Sequence, residues 1–238
     1  MTVQMPDPVG PAPEAAAPVL EAVDLEVDRG GVAVLRGVSA ALVPGTLTAV
    51  LGANGAGKSS LLLALVGGLR PRRGRVLLDG RPVGGRGIDW FARAGVHLVP
   101  QGRHLVPDLT VRENLRLARS TGRGGPGDDD ETAWLATLPQ LEGHLDVAAG
   151  LLSGGQQQLV AVARGLLHRP RVLLCDEPTA ALAPGARQVV LDRLRTAARD
   201  GAAVLVVEQE VAAVLRVADR VITLRAGRVV APPAAVSG

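Results

Sequence analysis

One short segment has the composition and spacing of a phosphate-binding loop. It matches G-x-x-x-x-G-K-[ST] and reads Gly52, Ala53, Asn54, Gly55, Ala56, Gly57, Lys58, Ser59, with Ser60 following. The glycines let backbone N–H groups turn inward around an anion, and a helix that begins near Lys58 adds the positive end of its dipole. We expect Lys58 to reach the terminal phosphates of a nucleotide and Ser59 to hold Mg²⁺. A plain glycine turn is the alternative, and the flanking strand and helix disfavour it.

Two adjacent carboxylates follow an apolar run more than a hundred residues after Lys58. The run reads VLLCDE over residues 172–177, which places Asp176 and Glu177 at the end of a buried strand. Because side chains alternate along a strand, we expect Asp176 to face the Mg²⁺ shell and Glu177 to face an attacking water as general base. By themselves the two residues also fit a charged strand end before a turn at Pro178.

A second candidate anion site precedes a helical stretch at residues 157–167. The segment LSGGQ, residues 152–156, is named here the LSGGQ segment. Ser153 is placed as a helix N-cap, and Gly154 and Gly155 leave backbone amides uncovered. Taken alone, the pattern fits a simple helix cap equally well.

The segments around these residues predict two kinds of sheet. Apolar runs at residues 20–27, 32–42 and 46–51 predict an antiparallel start, and a helix follows at 58–66. Strands at 75–79, 96–99, 172–175, 203–207 and 221–224 alternate with helices at 185–199 and 210–218, which indicates a buried, largely parallel sheet. A middle section, 102–158, contains helical stretches at 111–119 and 131–138 and a flexible Gly/Asp-rich loop at 121–130.

Composition limits the classes of function. The 238 residues include 26 Lys+Arg against 23 Asp+Glu, one cysteine and three aromatic side chains. With no dense basic tract and almost no rings for base stacking, we expect no nucleic-acid partner.

Cys175 is the single cysteine, so it forms no internal disulfide, and it is interpreted as a small buried side chain. Residues 1–19 are predicted to form a disordered tail rather than a signal peptide, and the apolar stretches are too short to span a bilayer. A membrane role would therefore need a partner.

Taken together, the phosphate loop, the LSGGQ segment and the strand ending at Glu177 resemble the ATP-binding subunits of ABC transporters over residues 20–231. The resemblance implies a P-loop NTPase α/β fold with a mostly parallel core sheet, an N-terminal antiparallel β subdomain and an α-helical subdomain. It implies one ATPase domain over 20–238, divided into 20–101, 102–158 and 159–238. It also implies that Ser153, Gly154, Gly155 and Gln156 contact the ATP of a partner subunit in a sandwich dimer.

Residues 102–115, 182–184 and 207–210 are similar to a narrower branch, the importers of branched-chain amino acids and urea. In the ABC transporter family, a glutamine that is linked to Mg²⁺ and to coupling with the permease stands at the position of Gln101. The resemblance therefore implies that Gln101 holds Mg²⁺ together with Ser59 and Asp176. The resemblance implies ATP and Mg²⁺ as cofactors. It implies two kinds of direct partner: transmembrane permease subunits and a second ATPase subunit, which is either identical or different. An extracytoplasmic solute-binding protein would be an indirect partner. It places the subunit on the cytoplasmic face of the cell membrane.

Three residues depart from the family pattern. Gln209 stands where most members have a histidine that senses the γ-phosphate, and Ala183 where many have an aspartate. An amide can bond a phosphate but cannot become an imidazolium, so we expect hydrolysis that is slower or asymmetric in the dimer. Arg29 replaces the aromatic ring that stacks on adenine; a guanidinium can stack instead, with less base selectivity, and a solvated turn arginine is the alternative.

Three other functions remain open from the sequence. The chain could serve a different ABC system, either an importer of urea or another amide or an exporter. It could be a soluble ABC ATPase that acts without a permease, although 238 residues leave no room for the second ATPase unit or the long coiled coil common in such proteins. It could also be a regulatory subunit that hydrolyses weakly, which Gln209 favours and an intact Lys58 and Glu177 disfavour.

Overall fold

The computed structural model describes residues 16–102, 104–121, 141, 143–209 and 211–235. Its strands are β1 Leu20–Arg29, β2 Val32–Leu42, β3 Leu47–Leu51, β4 Arg73–Leu78, β5 Arg81–Pro82, β6 Val96–Val99, β7 Val172–Asp176, β8 Ala203–Val207, β9 Arg220–Arg225 and β10 Arg228–Ala235. Its α-helices are α1 Lys58–Leu65, α2 Ile88–Arg93, α3 Val111–Thr121, α4 Gly154–Leu167, α5 Pro184–Arg199 and α6 Val211–Leu215. A 3₁₀ turn, Ala149–Leu151, precedes α4. Within this part of the chain, no helix has the length and hydropathy needed to span a membrane.

The core is a mostly parallel sheet in the order β10-β9-β3-β8-β7-β6. The pairs from β9 to β6 are parallel, and β10 joins the edge of β9 antiparallel. Every residue of β3, β7 and β8 is buried. Such unbroken burial follows from helices that cover both faces of a parallel sheet, and it explains the continuous apolar runs in the sequence. The predicted α/β fold class is confirmed.

An antiparallel sheet, in the order β2-β1-β4-β5, forms the second layer. The prediction that residues 46–51 belong to this antiparallel start is wrong, because β3 lies in the parallel sheet between β8 and β9. Burial gives the reason. The first two strands alternate between buried and accessible residues, whereas β3 is buried throughout and therefore needs neighbours on both faces.

The parallel sheet separates two apolar clusters. On one face it packs against α4, α5 and α6, and on the other against α1 and the antiparallel sheet. Leu47 and Ala49 face the first cluster, whereas Val50 faces the second. Aliphatic side chains dominate both clusters, and Phe91 from α2 is the one ring among their buried members in the described part of the chain. The aliphatic core that the composition indicates is therefore present.

Several predicted segments differ in extent. The tail prediction included Val19, but Val19 is buried and its N–H donates to Leu42 O at 2.8 Å. The predicted helix at 210–218 is shorter, because α6 ends at Leu215, and Glu210 lies outside the described residues. Most of the tail, the predicted helix at 131–138 and nearly all of the loop at 121–130 also lie outside them. The sequence patterns missed β5, α2, β10 and the 3₁₀ turn, which are short or interrupted by proline and glycine.

Helix α4 approaches β6 and β7 closely at Gly165. A β-carbon there would lie 2.5 Å from Val99 Cγ2 and 3.3 Å from Leu173 Cδ1. The β-branched valine has one strongly preferred rotamer and little freedom to move aside. Glycine is therefore needed at this position to keep α4 against the sheet.

We expect Gly165→Ala to lower the free energy of unfolding by about 1–3 kcal/mol, because overpacking outweighs the better helix propensity of alanine. Urea denaturation measures the change. Gly185→Ala on α5 is the matched control, since a β-carbon there meets open space. The control should leave stability unchanged or raise it by less than about 1 kcal/mol. Equal stabilities for Gly165→Ala and the unaltered chain would contradict the packing argument.

Candidate functional site

The residues of the phosphate loop, Gln101, Glu177 and Gln209 meet at the carboxyl ends of the parallel strands. β3 leads into the phosphate loop, β6 into Gln101, β7 into Glu177 and β8 into Gln209. In open α/β sheets this edge is where ligands bind. A cleft of about 410 Å³ opens there, the phosphate-loop cleft, lined by Arg29, Val34, Asn54, Gly55, Gly57, Lys58, Ser59, Ser60, Gln101, Glu177 and Gln209.

The loop over residues 52–59 joins β3 to α1 as expected. Gly57 has φ +105° and precedes α1 without a side-chain cap, so the first N–H groups of the helix remain available for an anion. A β-carbon at Gly57 would lie 2.7 Å from Val34 O, which makes glycine necessary there. The buried Lys58 Nζ donates to Gly52 O at 2.7 Å and to Ala53 O at 3.1 Å. Its charge therefore lies inside the loop.

Asp176 is the last residue of β7 and is buried beneath the loop. Burial raises the pKa of its carboxyl group, and a hydrogen bond from Ser59 acts in the opposite direction. Its Oδ1 is buried without a hydrogen-bond partner. A buried carboxylate oxygen left without a donor, next to a serine hydroxyl, fits the donor set of a hard cation such as Mg²⁺.

Glu177 lines the cleft and Asp176 does not, but the alternation predicted from a strand is not the cause. Strand alternation does not separate the two side chains, because β7 ends at Asp176 and Glu177 adopts a left-handed backbone with φ +52°. This conformation is uncommon for a residue with a β-carbon and costs of order 1–3 kcal/mol. The turn directs the Glu177 carboxylate into the cleft.

Two amides hold that carboxylate. Gln101 Nε2 donates to Glu177 Oε2 at 3.0 Å, and Gln209 Nε2 donates to Oε1 at 2.5 Å. The predicted catalytic residues are therefore brought together with Gln101, and each oxygen of the carboxylate has one amide donor.

Two side chains that were not singled out in the sequence hold the turn after β7. Glu208 Oε1 accepts from Thr179 N at 3.0 Å and from Thr179 Oγ1 at 2.8 Å, and burial raises the pKa of Glu208. Gln158 Nε2, on α4, donates to Pro178 O at 3.2 Å. Glu208 could have been identified from the sequence, because it is a carboxylate directly after the buried strand β8. Gln158 had no signal, because the bond depends on how α4 packs.

The LSGGQ segment lies outside the phosphate-loop cleft. Ser153 caps α4, with its Oγ accepting from Gln156 N at 3.3 Å, and Gln156 Oε1 accepts from Ser153 N at 3.0 Å. The predicted N-cap is therefore confirmed, in a reciprocal capping box. None of the residues Ser153, Gly154, Gly155 and Gln156 contributes to the cleft of its own chain.

The end of the cleft at β1 and β2 carries Arg29 and Val34. No aromatic side chain stands among the described residues that line the cleft. Arg29 is exposed at the last position of β1, so its guanidinium is free to lie along a flat group. Val34 was not singled out in the sequence, since nothing in its local pattern distinguishes it from other strand valines.

Curated relatives include several ATP-binding proteins of importers. The branched-chain amino acid transport protein BraG of Pseudomonas aeruginosa is 35% identical over 84% of this chain and 86% of its own length. The hemin import protein HmuV of Streptomyces coelicolor is 40% identical over 96% and 84%. The ribose import protein RbsA 2 of Streptomyces avermitilis is 38% identical over 92%, but the chain spans only 45% of its length.

The solved structures similar to this chain are also ATP-binding proteins of ABC transporters. An ATP-binding subunit of an ABC transporter superposes with a TM-score of 0.81 at 29% identity, covering 91% of this chain and 90% of that one. The cassette MJ0796, dimeric in a post-hydrolysis state bound to ADP and Pi, gives 0.79 at 26% identity, covering 92% and 99%. Residues 35–180 match the family model described as ABC transporter. The chain therefore belongs to the ABC transporter family, as an ATP-binding subunit that hydrolyses ATP.

Proposed function

We propose that this chain powers an importer of branched-chain amino acids from the cytoplasmic face of the cell membrane. It works as one half of a dimer that closes on ATP, drives a membrane permease and reopens after hydrolysis. The observation that carries the ATPase part is the Glu177 carboxylate, held by two amides at the mouth of the phosphate loop.

Binding of the phosphates falls to the loop and Lys58. Lys58 Nζ exchanges its bonds to Gly52 O and Ala53 O for phosphate oxygens, while the N–H groups at the start of α1 bind the same anion. Arg29 stacks its guanidinium on the base. Affinity therefore depends more on the phosphates than on the identity of the base.

Ser59, Asp176 and Gln101 are the residues that would hold Mg²⁺. The unpartnered Asp176 Oδ1 and the adjacent Ser59 hydroxyl support this assignment. When bound, Mg²⁺ neutralises part of the phosphate charge and orients the phosphate oxygens.

Glu177 accepts a proton from the attacking water as general base. Both of its oxygens accept from an amide in this structure, and we expect at least one of these bonds to be exchanged for a bond to that water. Gln209 then donates to the γ-phosphate instead of to Glu177, and Gln101 turns toward the phosphate end of the cleft. The two amides thus change partners when the nucleotide is in place, and this exchange orients the base only after binding.

The second half of each ATP site comes from a partner subunit. Ser153, Gly154, Gly155 and Gln156 stand at the exposed start of α4, outside their own cleft, where they are available to the γ-phosphate of ATP on another ATPase. The dimeric MJ0796 cassette supports this arrangement. The partner is either a second copy or a different ATPase chain.

The cargo assignment has separate support. BraG shares 35% identity over most of both chains, and residues 102–115 and 207–210 resemble the branched-chain amino acid branch. Relatives that import hemin and ribose are similarly close. The cargo is therefore set by the permease and the solute-binding protein with which this subunit assembles.

Copurification from the native host tests the assembly. The chain is tagged, membranes are solubilised gently, and the associated chains are identified by mass spectrometry. We expect two permeases and a second ATPase, with a solute-binding protein that binds leucine, isoleucine or valine in calorimetry. A binding protein selective for ribose, hemin or urea would overturn the cargo. Recovery of the chain with ribosomes, or without any permease, would overturn the transport role.

Glu177→Gln should lower the turnover number at least about 10²-fold, because the general base is lost while the shape of the side chain is kept. The same variant should accumulate as an ATP-bound dimer in size-exclusion chromatography, alone or with the copurified ATPase. Phosphate release measures turnover. Glu21→Gln, on β1 away from the cleft, is the control and should hydrolyse normally. Normal hydrolysis by Glu177→Gln would rule out its role as base.

Gln209→Ala should lower kcat about 10²-fold through loss of one donor to the γ-phosphate. Gln209→His should recover most of the rate and add a new pH dependence. Its kcat relative to the unaltered chain should rise as pH falls through about 6.5, because the imidazolium is the stronger donor. Rate profiles from pH 5.5 to 8.5 measure the ratio. An unchanged kcat in Gln209→Ala, or a flat ratio for Gln209→His, would contradict the assigned contact.

A further inference from the structure

A second cavity, the histidine cavity, lies on the other side of the segment that carries Gln101. It measures about 290 Å³ and is enclosed by β6, the residues that follow β6, and α4. Its lining consists of His97, Leu98, Val99, Pro100, His104, Ala161, Arg164, Gly165 and His168. None of these residues lines the phosphate-loop cleft.

All polar side chains of this cavity carry nitrogen donors. The titratable and charged groups that face it are His97 from β6, His104 from the following segment, and Arg164 and His168 from α4. No carboxylate stands among these lining residues. His97 and His168 stack with ring centroids 4.0 Å apart and planes 22° from parallel. The Arg164 guanidinium therefore makes the cavity electropositive, and protonation of a ring would add to that charge.

Two of these nitrogens are buried without a partner. Arg164 donates through Nη1 to His104 O at 2.8 Å, yet its Nε has no acceptor, and neither has His168 Nδ1. No ion pair to Arg164 occurs within the described residues. A guanidinium that is partly buried without a carboxylate is costly, and burial lowers the pKa of Arg164. Arg164 Nε would gain from an acceptor that reached it, and so would His168 Nδ1 in the tautomer that carries its proton there.

A metal ion does not fit this arrangement. Among the described residues no group of three or more histidine, cysteine or carboxylate side chains has the placement to hold one. Stacked imidazole rings direct their nitrogens side by side rather than toward a common centre, and the adjacent guanidinium repels a cation.

We propose that the histidine cavity binds a small tetrahedral oxyanion, with inorganic phosphate as its ligand. Four side chains with nitrogen donors line a space large enough for such an ion. The four oxygens of phosphate can accept from several of these side chains at once, whereas a carboxylate offers two oxygens. Phosphate is also the product that this ATPase releases nearby.

Binding there would act on the catalytic segment. The His104 ring nitrogen lies 3.2 Å from Gln101 O, and the Gln101 side chain bonds Glu177. An ion that orders Arg164 and His104 therefore holds the backbone of Gln101 in place. This link to turnover rests on the proposed function, but binding of the ion does not.

The affinity should depend on pH. Burial, together with the charge of His168, lowers the pKa of His97 to about 4, and burial also lowers the pKa of His168. Both rings are thus neutral at pH 7 in the free cavity. A bound anion favours their protonated forms and raises both pKa values, so binding is coupled to proton uptake at the rings.

NMR of histidine-labelled protein tests the proposal without ATP. In a Lys58→Ala background, which weakens phosphate binding at the loop, inorganic phosphate is titrated at pH 6.5 while the ring shifts of His97 and His168 are followed. We expect saturable shifts of both rings. Loss of one charged donor in Arg164→Gln should weaken binding about tenfold or more. Arg199→Gln, an exposed arginine on α5, is the control and should leave the affinity unchanged.

His168→Phe is the second variant, because it keeps the stacked ring and removes the nitrogens. It should abolish the phosphate-dependent shift of His97 while leaving thermal stability intact. Several results would overturn the proposal: no saturable shift of either ring, unaltered binding in both cavity variants, or acetate binding as tightly as phosphate. Because no nucleotide is used, these outcomes are independent of whether the chain powers an importer.

Discussion

The phosphate loop, Gln101, Glu177 and Gln209 all depend on four parallel strands whose residues are paired in register. Ala49 pairs with Val206, Val206 with Cys175 and Cys175 with Val99, so one row of backbone crosses β3, β8, β7 and β6. Two residues beyond that row stand Gln101, Glu177 and Glu208. A shift of one residue in any strand would turn its polar residue to the opposite face. The continuous burial of these strands therefore determines the site as well as the core.

Helix α4 joins this edge to the rest of the molecule. It begins at the exposed LSGGQ segment, reaches the turn after β7 through Gln158, and passes β6 closely at Gly165. Its last part lines the histidine cavity with Arg164 and His168. Helix α4 thus joins the LSGGQ segment to the backbone beside Glu177 and to the segment that follows Gln101.

The sequence was informative where chemistry or burial leaves a local pattern. The phosphate loop has its spacing, Ser153 has its capping partner, and the buried strands have unbroken apolar runs. The assignment of residues 46–51 to the antiparallel sheet failed because strand type depends on what covers both faces, which adjacent residues do not encode. The same limit applies to Glu208, Gln158 and the His97–His168 stack, since each contact joins residues far apart in the chain. The left-handed backbone of Glu177 could not be predicted either, because the residues around it are typical of an ordinary strand end.

The exchange of amide partners by Glu177 is the central claim, and a crystal structure with Mg²⁺ and a non-hydrolysable ATP analogue tests it most directly. The account predicts that the phosphates lie against residues 52–59, that Gln209 has left Glu177 for the γ-phosphate, and that Gln101 has turned toward the phosphates. The carboxylate should then face the γ-phosphate with room for one water. If the analogue's phosphates fill the loop while both amides still bond Glu177, the amides only hold the carboxylate, and the proposed exchange is wrong.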